Sequence, residues 1–204
     1  MKSAANRHDA LPMDREPTVA EVFGTLRRKE LYGNLAVHIF VLIPMAAFMA
    51  YLGQRLDKNW GWSPIMPPPW NIIGAFICFA LGGFIVWYAY GYLFLMGVGS
   101  PGAHMGYTKF LVTTGIYSWI RHPSVVGKLI GVIGLGLLMR TPGFLIVIVP
   151  VLLIYSYFTN IYIQERFCLR NFGEAYERYR REVPMFIPRF ARIERYIRER
   201  QGKP

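Results

Sequence analysis

The chain has 204 residues, 53% of them apolar, and carries 23 Lys and Arg against 12 Asp and Glu, a formal charge of +11. Its basic residues flank long uncharged apolar blocks instead of forming one basic face, which excludes an ordinary soluble domain and argues against nucleic acid as a partner. Cys78 and Cys168 have no CxxC or Cys/His spacing, so neither a disulfide framework nor a zinc site is supported.

Residues 1–34 read as a polar, mixed-charge N-terminal segment with no apolar region of the kind a cleavable signal carries. Within it, Thr18 to Leu31 places Val19, Val22, Phe23 and Leu26 on one face, predicting an amphipathic helix on the membrane surface. Leu35 to Leu52 is the first predicted span, with a kink at Pro44. Gly53 to Pro69 follows as a connector, with Trp60, Trp62 and Trp70 as interfacial anchors. The second span, Trp70 to about Met96, exceeds what the hydrocarbon core needs and so should tilt or project. Residues 35–96 thus form the first pair of spans.

Gly97 to Pro123 is too polar to cross a bilayer. The third span, about His122 to Arg140, carries Gly127, Gly131, Gly134 and Gly136 at near-helical spacing, predicting a close helix–helix contact. Thr141, Pro142 and Gly143 predict a tight turn into a fourth span from Phe144 to about Ile163, with Pro150 as a kink. From Gln164 the chain is charged, and Val183 to Pro188 should lie extended. In residues 189–204, Phe190, Ile193 and Ile197 share one face with Arg192, Arg195 and Arg198 elsewhere, which fits a basic interfacial helix drawn to anionic membrane lipids and equally a merely solvated basic end. The expected fold class is all-α: an integral membrane bundle of about four transmembrane helices with a cytoplasmic C-terminal helical segment.

If the spans alternate, twenty Lys and Arg fall on one side and three, Arg55, Lys58 and Arg140, on the other. The positive-inside rule then places both termini in the cytoplasm. The Gly97–Pro123 segment and the C-terminal tail share that compartment, so they can meet.

Three clusters on this face could carry chemistry. Gly97 and Gly99, one residue apart at the end of the second span, let the backbone approach a ligand closely, though such pairs also end helices. Tyr117, Arg121 and His122 lie where the chain re-enters the membrane behind the helix-starting Pro123. A snorkelling charge and an interfacial cap are the bland alternative for Arg121 and His122. Glu165 stands where the fourth span leaves the bilayer and needs a cationic partner or water there. Phe172, Tyr176 and Tyr179 follow it on one helical face.

The order Gly115-x-Tyr117-x-x-x-Arg121-His122-Pro123, Gly127 four residues on, a hydrophobic hairpin, then Glu165-Arg166-x-x-Leu169-x-x-Phe172-Gly173-x-x-Tyr176-x-x-Tyr179-x-x-x-Val183-Pro184 resembles the integral membrane methyltransferases. These are typified by isoprenylcysteine carboxyl methyltransferase and the phospholipid N-methyltransferases. The resemblance covers residues 97–188. It implies S-adenosylmethionine as cofactor, held by Gly97, Gly99, Tyr117, Arg121, His122, Glu165, Tyr176 and Tyr179. Arg121, His122 and Glu165 would be catalytic, and a lipid-like acceptor would enter from the bilayer. Two positions depart from the pattern: Gln164 stands where a second Glu is common, and Val125 where Tyr is. The rival expectations are an NADPH-dependent sterol-type membrane reductase, which shares a similar Arg-His-Pro segment, and a non-enzymatic lipid-binding membrane protein.

Overall fold

The structure, a computed structural model, describes residues 15–25, 40, 43–97 and 108–188. Leu26 with the rest of the amphipathic segment, the start of the first span, Gly99 and residues 189–204 lie outside the described residues. The described residues are all-helical, with no strand among them.

Helix α1, Val19–Gly24, starts at a capping box. Thr18 Oγ1 accepts the Glu21 N–H at 3.3 Å, and the Glu21 carboxylate accepts the Thr18 N–H at 2.7 Å, so two otherwise orphaned donors are satisfied. Sequence alone sets this helix on the membrane surface. In the structure its Val22 is fully buried with Ala89 and Tyr92 of the second span, and Phe23 packs on Trp87 at 3.7 Å between ring centroids.

Helix α2, Ile43–Trp60, runs two turns beyond the expected end of the first span. Of the connector expected from Gly53 to Pro69, the stretch from Gly53 to Trp60 is helical because tertiary contacts hold it. Leu52 and Leu56 pack with Phe144, and Asp57 Oδ1 accepts the Gly143 N–H at 2.6 Å. Helix α3, Trp70–Gly97, and helix α4, Pro123–Met139, form the central antiparallel pair. A Cβ at Gly82 would stand 2.5 Å from the Gly127 carbonyl oxygen, and one at Gly127 would stand 2.7 Å from that of Gly82. Two backbones meet there directly, as the glycine spacing predicts. Helix α4 begins with Pro123 at its first turn and ends at Arg140, whose left-handed backbone (φ 58) reverses the chain.

Helix α5, Phe144–Glu182, runs 39 residues from the hairpin through the fourth span and out into the charged tail. It contains two wide π turns, Phe144–Ile148 and Asn160–Glu165. The first lies just ahead of Pro150, which has no N–H and cannot sit in regular α geometry without crowding the preceding turn. Gly173 (φ 49, ψ −128) breaks the helix between Phe172 and Tyr176.

Among the described residues two helices, α3 and α5, are long and apolar enough to cross a membrane; α4 is apolar but shorter. Only 17% of the apolar stretch of each long helix is buried within the protein, whereas a core helix of a soluble domain would be mostly covered. Their exposed Phe76, Ile77, Ile146, Val151 and Ile154 are the surface a membrane protein offers to lipid.

Candidate functional site

The site lies where the start of α4 meets the exit of α5. The short 3₁₀ turn Gly115–Ser118 leads into Arg121 and His122, and His122 precedes Pro123 with an irregular backbone (φ −123, ψ 62). Regular helix geometry therefore starts only after the two polar side chains have been set toward α5.

Glu165 is 3% exposed. Its Oε1 stands 2.8 Å from Arg121 Nη2 and 3.4 Å from His122 Nε2, while Arg180 Nη1 is 3.8 Å from Oε2. A carboxylate so deeply buried persists only beside compensating cations. Arg121 Nη1 also donates to the Arg180 carbonyl at 2.6 Å, tying the start of α4 to the end of α5.

The extended segment after α5 closes over this cluster. The Arg121 N–H donates to the Pro184 carbonyl at 2.9 Å and the His122 N–H to that of Met185 at 3.2 Å. Phe186 then reaches across, its ring centroid 6.1 Å from that of His122 and 6.5 Å from that of Tyr157 on α5. Behind Glu165, Tyr176, Tyr179 and Val183 form a small buried core with Leu111, Cys168, Leu169 and Phe172. Burial, and secondarily the Glu165 charge, push the Tyr176 phenol well above its ordinary range, so it remains a protonated hydroxyl. The same two causes push the Cys168 thiol up to about 11, which leaves it inert as a nucleophile near neutral pH.

The structure thus brings Arg121, His122 and Glu165 into one cluster, with Tyr176 and Tyr179 directly behind it. Tyr117 is placed differently from a ligand-facing phenol. Its hydroxyl donates into α3, to the Ala89 carbonyl at 3.1 Å, while its own carbonyl accepts the Tyr179 hydroxyl at 2.7 Å. Gly97 packs against the Thr108 side chain, and its carbonyl accepts the Lys109 N–H at 2.8 Å, so the chain returns to the same point after the 98–107 segment. Gln164 is exposed, so the carboxylate missing at that position does not belong to the buried cluster.

Asn160 escapes a reading by regular periodicity. In an α-helix, positions 160 and 165 would point about 140° apart at 3.6 residues per turn. The wide turn takes up the extra residue, so Asn160 and Glu165 are both buried while Tyr162, Ile163 and Gln164 between them are exposed. The signal that could have marked it is an amide inside an otherwise apolar span.

Among the described residues, two buried polar atoms here have no hydrogen-bond partner: the Nε–H of Arg121, a donor, and Oδ1 of Asn160, an acceptor. Each is a group that a polar ligand can satisfy.

A family model described as phospholipid methyltransferase matches residues 70–175, just over half the chain. The chain is also similar to protein-S-isoprenylcysteine O-methyltransferase of Schizosaccharomyces pombe, 38% identical over 79 residues, covering 38% of this chain and 33% of that protein. The corresponding Homo sapiens protein is 34% identical over 82 residues, 40% of this chain and 28% of that one. A nickel-cobalt-cadmium resistance protein, NccN, of Alcaligenes xylosoxydans xylosoxydans is 36% identical over 81 residues, 40% of this chain and 37% of that one. The chain spans about a third of the length of the first two of these relatives. No solved structure matches it.

Proposed function

Since the chain belongs to the phospholipid methyltransferase family, we propose that it is an S-adenosylmethionine-dependent membrane methyltransferase acting on a lipid-like acceptor of the phospholipid-amine or isoprenoid-linked carboxylate class. The observation that carries this reading is the buried Arg121–Glu165–His122 cluster at the mouth of the α4–α5 hairpin, with its unsatisfied Arg121 Nε–H.

The cofactor supplies a methyl group already activated on a sulfonium sulfur, so the protein's work is alignment, electrostatic complementarity and exclusion of water. In this proposal Arg121 donates its free N–H to an anionic group of the cofactor. Arg121 and Arg180 together outweigh the single charge of Glu165, so the cluster carries one surplus positive charge to receive that anion. Glu165 accepts from a donor group of the ligand and holds Arg121 in place. Tyr176 and Tyr179 form the wall on the adenosine side, and Pro184–Pro188, with Phe186 at its centre, covers the site. The backbone of Gly97 and Gly99 joins the cofactor contacts, a role resting on the family resemblance. His122 serves as the base when the acceptor must lose a proton; a carboxylate acceptor needs none. We also propose that both termini are cytoplasmic and that the site opens to the inner leaflet, on the basis of the Lys and Arg distribution.

Titration of the purified protein in detergent micelles with S-adenosylmethionine tests the reading, with NADPH as the control. Saturable binding of the first alone supports it; binding of NADPH alone, or of neither, rejects it. Glu165→Gln should weaken cofactor binding by roughly 10- to 100-fold, the worth of one charge-assisted hydrogen bond. An unchanged affinity would remove Glu165 from the site. His122→Ala should leave that affinity in place and abolish methylation of an amine acceptor.

A further inference from the structure

We infer that Asn160 is a specificity-determining residue of this site, one that presents a hydrogen-bond acceptor to the reacting head of the methyl acceptor and favours heads bearing N–H or O–H over carboxylates. The inference rests on the methyltransferase reading and goes beyond it in naming a residue and a chemical class.

Asn160 is 3% exposed within the apolar part of α5. Its Nδ2 donates to the Ser156 carbonyl one turn earlier at 2.6 Å. That bond fixes the amide's orientation, because turning it over would set two acceptor oxygens against each other. Oδ1 must therefore face away from its own helix, and among the described residues it has no partner there. An unmatched amide oxygen in so dry a place carries a desolvation penalty that a leucine would not. The wide turn that carries it inward is itself a departure from the regular helix, of a kind concentrated at functional sites.

The neighbourhood indicates which partner suits that oxygen. Asn160 shares the inward face of the wide turn with Glu165, whose carboxylate also offers only lone pairs. One turn before it, Tyr157 meets Phe186, the residue that also covers His122. Asn160 precedes Glu165 along the fourth span, so under the proposed topology it stands deeper in the membrane than the cluster, toward the direction from which a lipid-fed molecule arrives. The Asn160 oxygen, an acceptor only, repels a carboxylate brought against it and attracts a donor. The same donor chemistry exists in the cofactor's amino group, so the experiment has to tell the two sources apart.

The test uses the full-length protein in mixed micelles with radiolabelled S-adenosylmethionine. One acceptor is lysophosphatidylethanolamine, which bears an amine; the other is N-acetyl-S-farnesylcysteine, which bears a carboxylate. In Asn160→Leu, KM for the amine should rise by about tenfold or more, the value of one lost hydrogen bond to a desolvated donor. Cofactor affinity should stay within about twofold, and thermal stability should hold or rise because an unsatisfied polar atom is gone. Asn160→Ala gives the same comparison if leucine packs poorly.

The inference is overturned if amine KM does not change, if cofactor affinity falls instead, or if stability and activity decline in parallel. It is also overturned if the unaltered protein methylates only the carboxylate, an outcome that leaves the methyltransferase reading intact. Failure of the unaltered protein to bind S-adenosylmethionine removes both.

Discussion

Arg121, His122 and Glu165 are readable from the sequence because each is a polar side chain at the mouth of an apolar stretch, where burial demands a partner. Which partners they choose is not readable. Arg121 uses one terminal nitrogen on Glu165 and the other on the Arg180 carbonyl, an arrangement that depends on how α5 leaves the bundle. Gln164 and Glu165 look equivalent in sequence, yet one is exposed and the other buried, since the wide turn decides which of them faces inward. Tyr179 offers a clean residue-level test. Its hydroxyl donates to the Tyr117 carbonyl inside the protein at 2.7 Å, so Tyr179→Phe should lower stability by roughly 1–2 kcal/mol, read as a reduced thermal midpoint in detergent. No loss would show that this link between the Gly115–Ser118 turn and α5 contributes nothing net.

At the scale of elements, the glycines of α4 announce a close contact, and the structure shows that they differ among themselves. Gly82→Ala and Gly127→Ala each force a methyl into opposing backbone, whereas a methyl at Gly131 meets nothing within 4 Å. The first two should cost about 1–3 kcal/mol in stability. Gly131→Ala should be neutral or slightly stabilising, because alanine favours helix. Equal effects at all three positions would contradict the contact. The end of α2 is less legible, because its last turns are held by Phe144 and Gly143, about 90 residues away in sequence, and local pattern carries no trace of that.

Helix α1 provides a pH test. The hydrogen bond from Arg15, and after it those from Thr18, hold the Glu21 carboxyl down to about 2 from its usual 4.5. A depressed acid stabilises its fold above the unfolded pKa and ceases to do so as it is protonated. The docking of α1 should therefore be full above pH 4.5 and loosen as pH falls toward 2, seen as a change in Trp87 fluorescence when Phe23 leaves it. Thr18→Ala should weaken α1 by about 1 kcal/mol at neutral pH, measured by amide exchange in Val19–Gly24.

For the whole molecule, an apolar all-helical protein could be anticipated from hydropathy and from the segregation of charge. The second, third and fourth predicted spans fall close to helical segments, and the start of the first lies outside the described residues. What could not be anticipated is that the fourth span and the start of the tail, as far as Glu182, form one helix, interrupted at Gly173. Loss of apolar character at Gln164 marks where lipid contact ends, not where the helix does. The proposed orientation makes a testable statement in a cysteine-free background: a cysteine replacing Lys58 should react with a membrane-impermeant maleimide from outside the cell, and one replacing Arg170 only after lysis. The reverse pattern would turn the topology over and move the proposed site to the opposite face.

The pairing of the Arg121 and His122 amides with Pro184 and Met185 means that a segment beyond the last helix is zipped onto the threshold of α4. Deuterium uptake at those two amides should then act as an occupancy gauge for the proposed site, slowing when S-adenosylmethionine binds and quickening when the contacts of Pro184 and Met185 are removed.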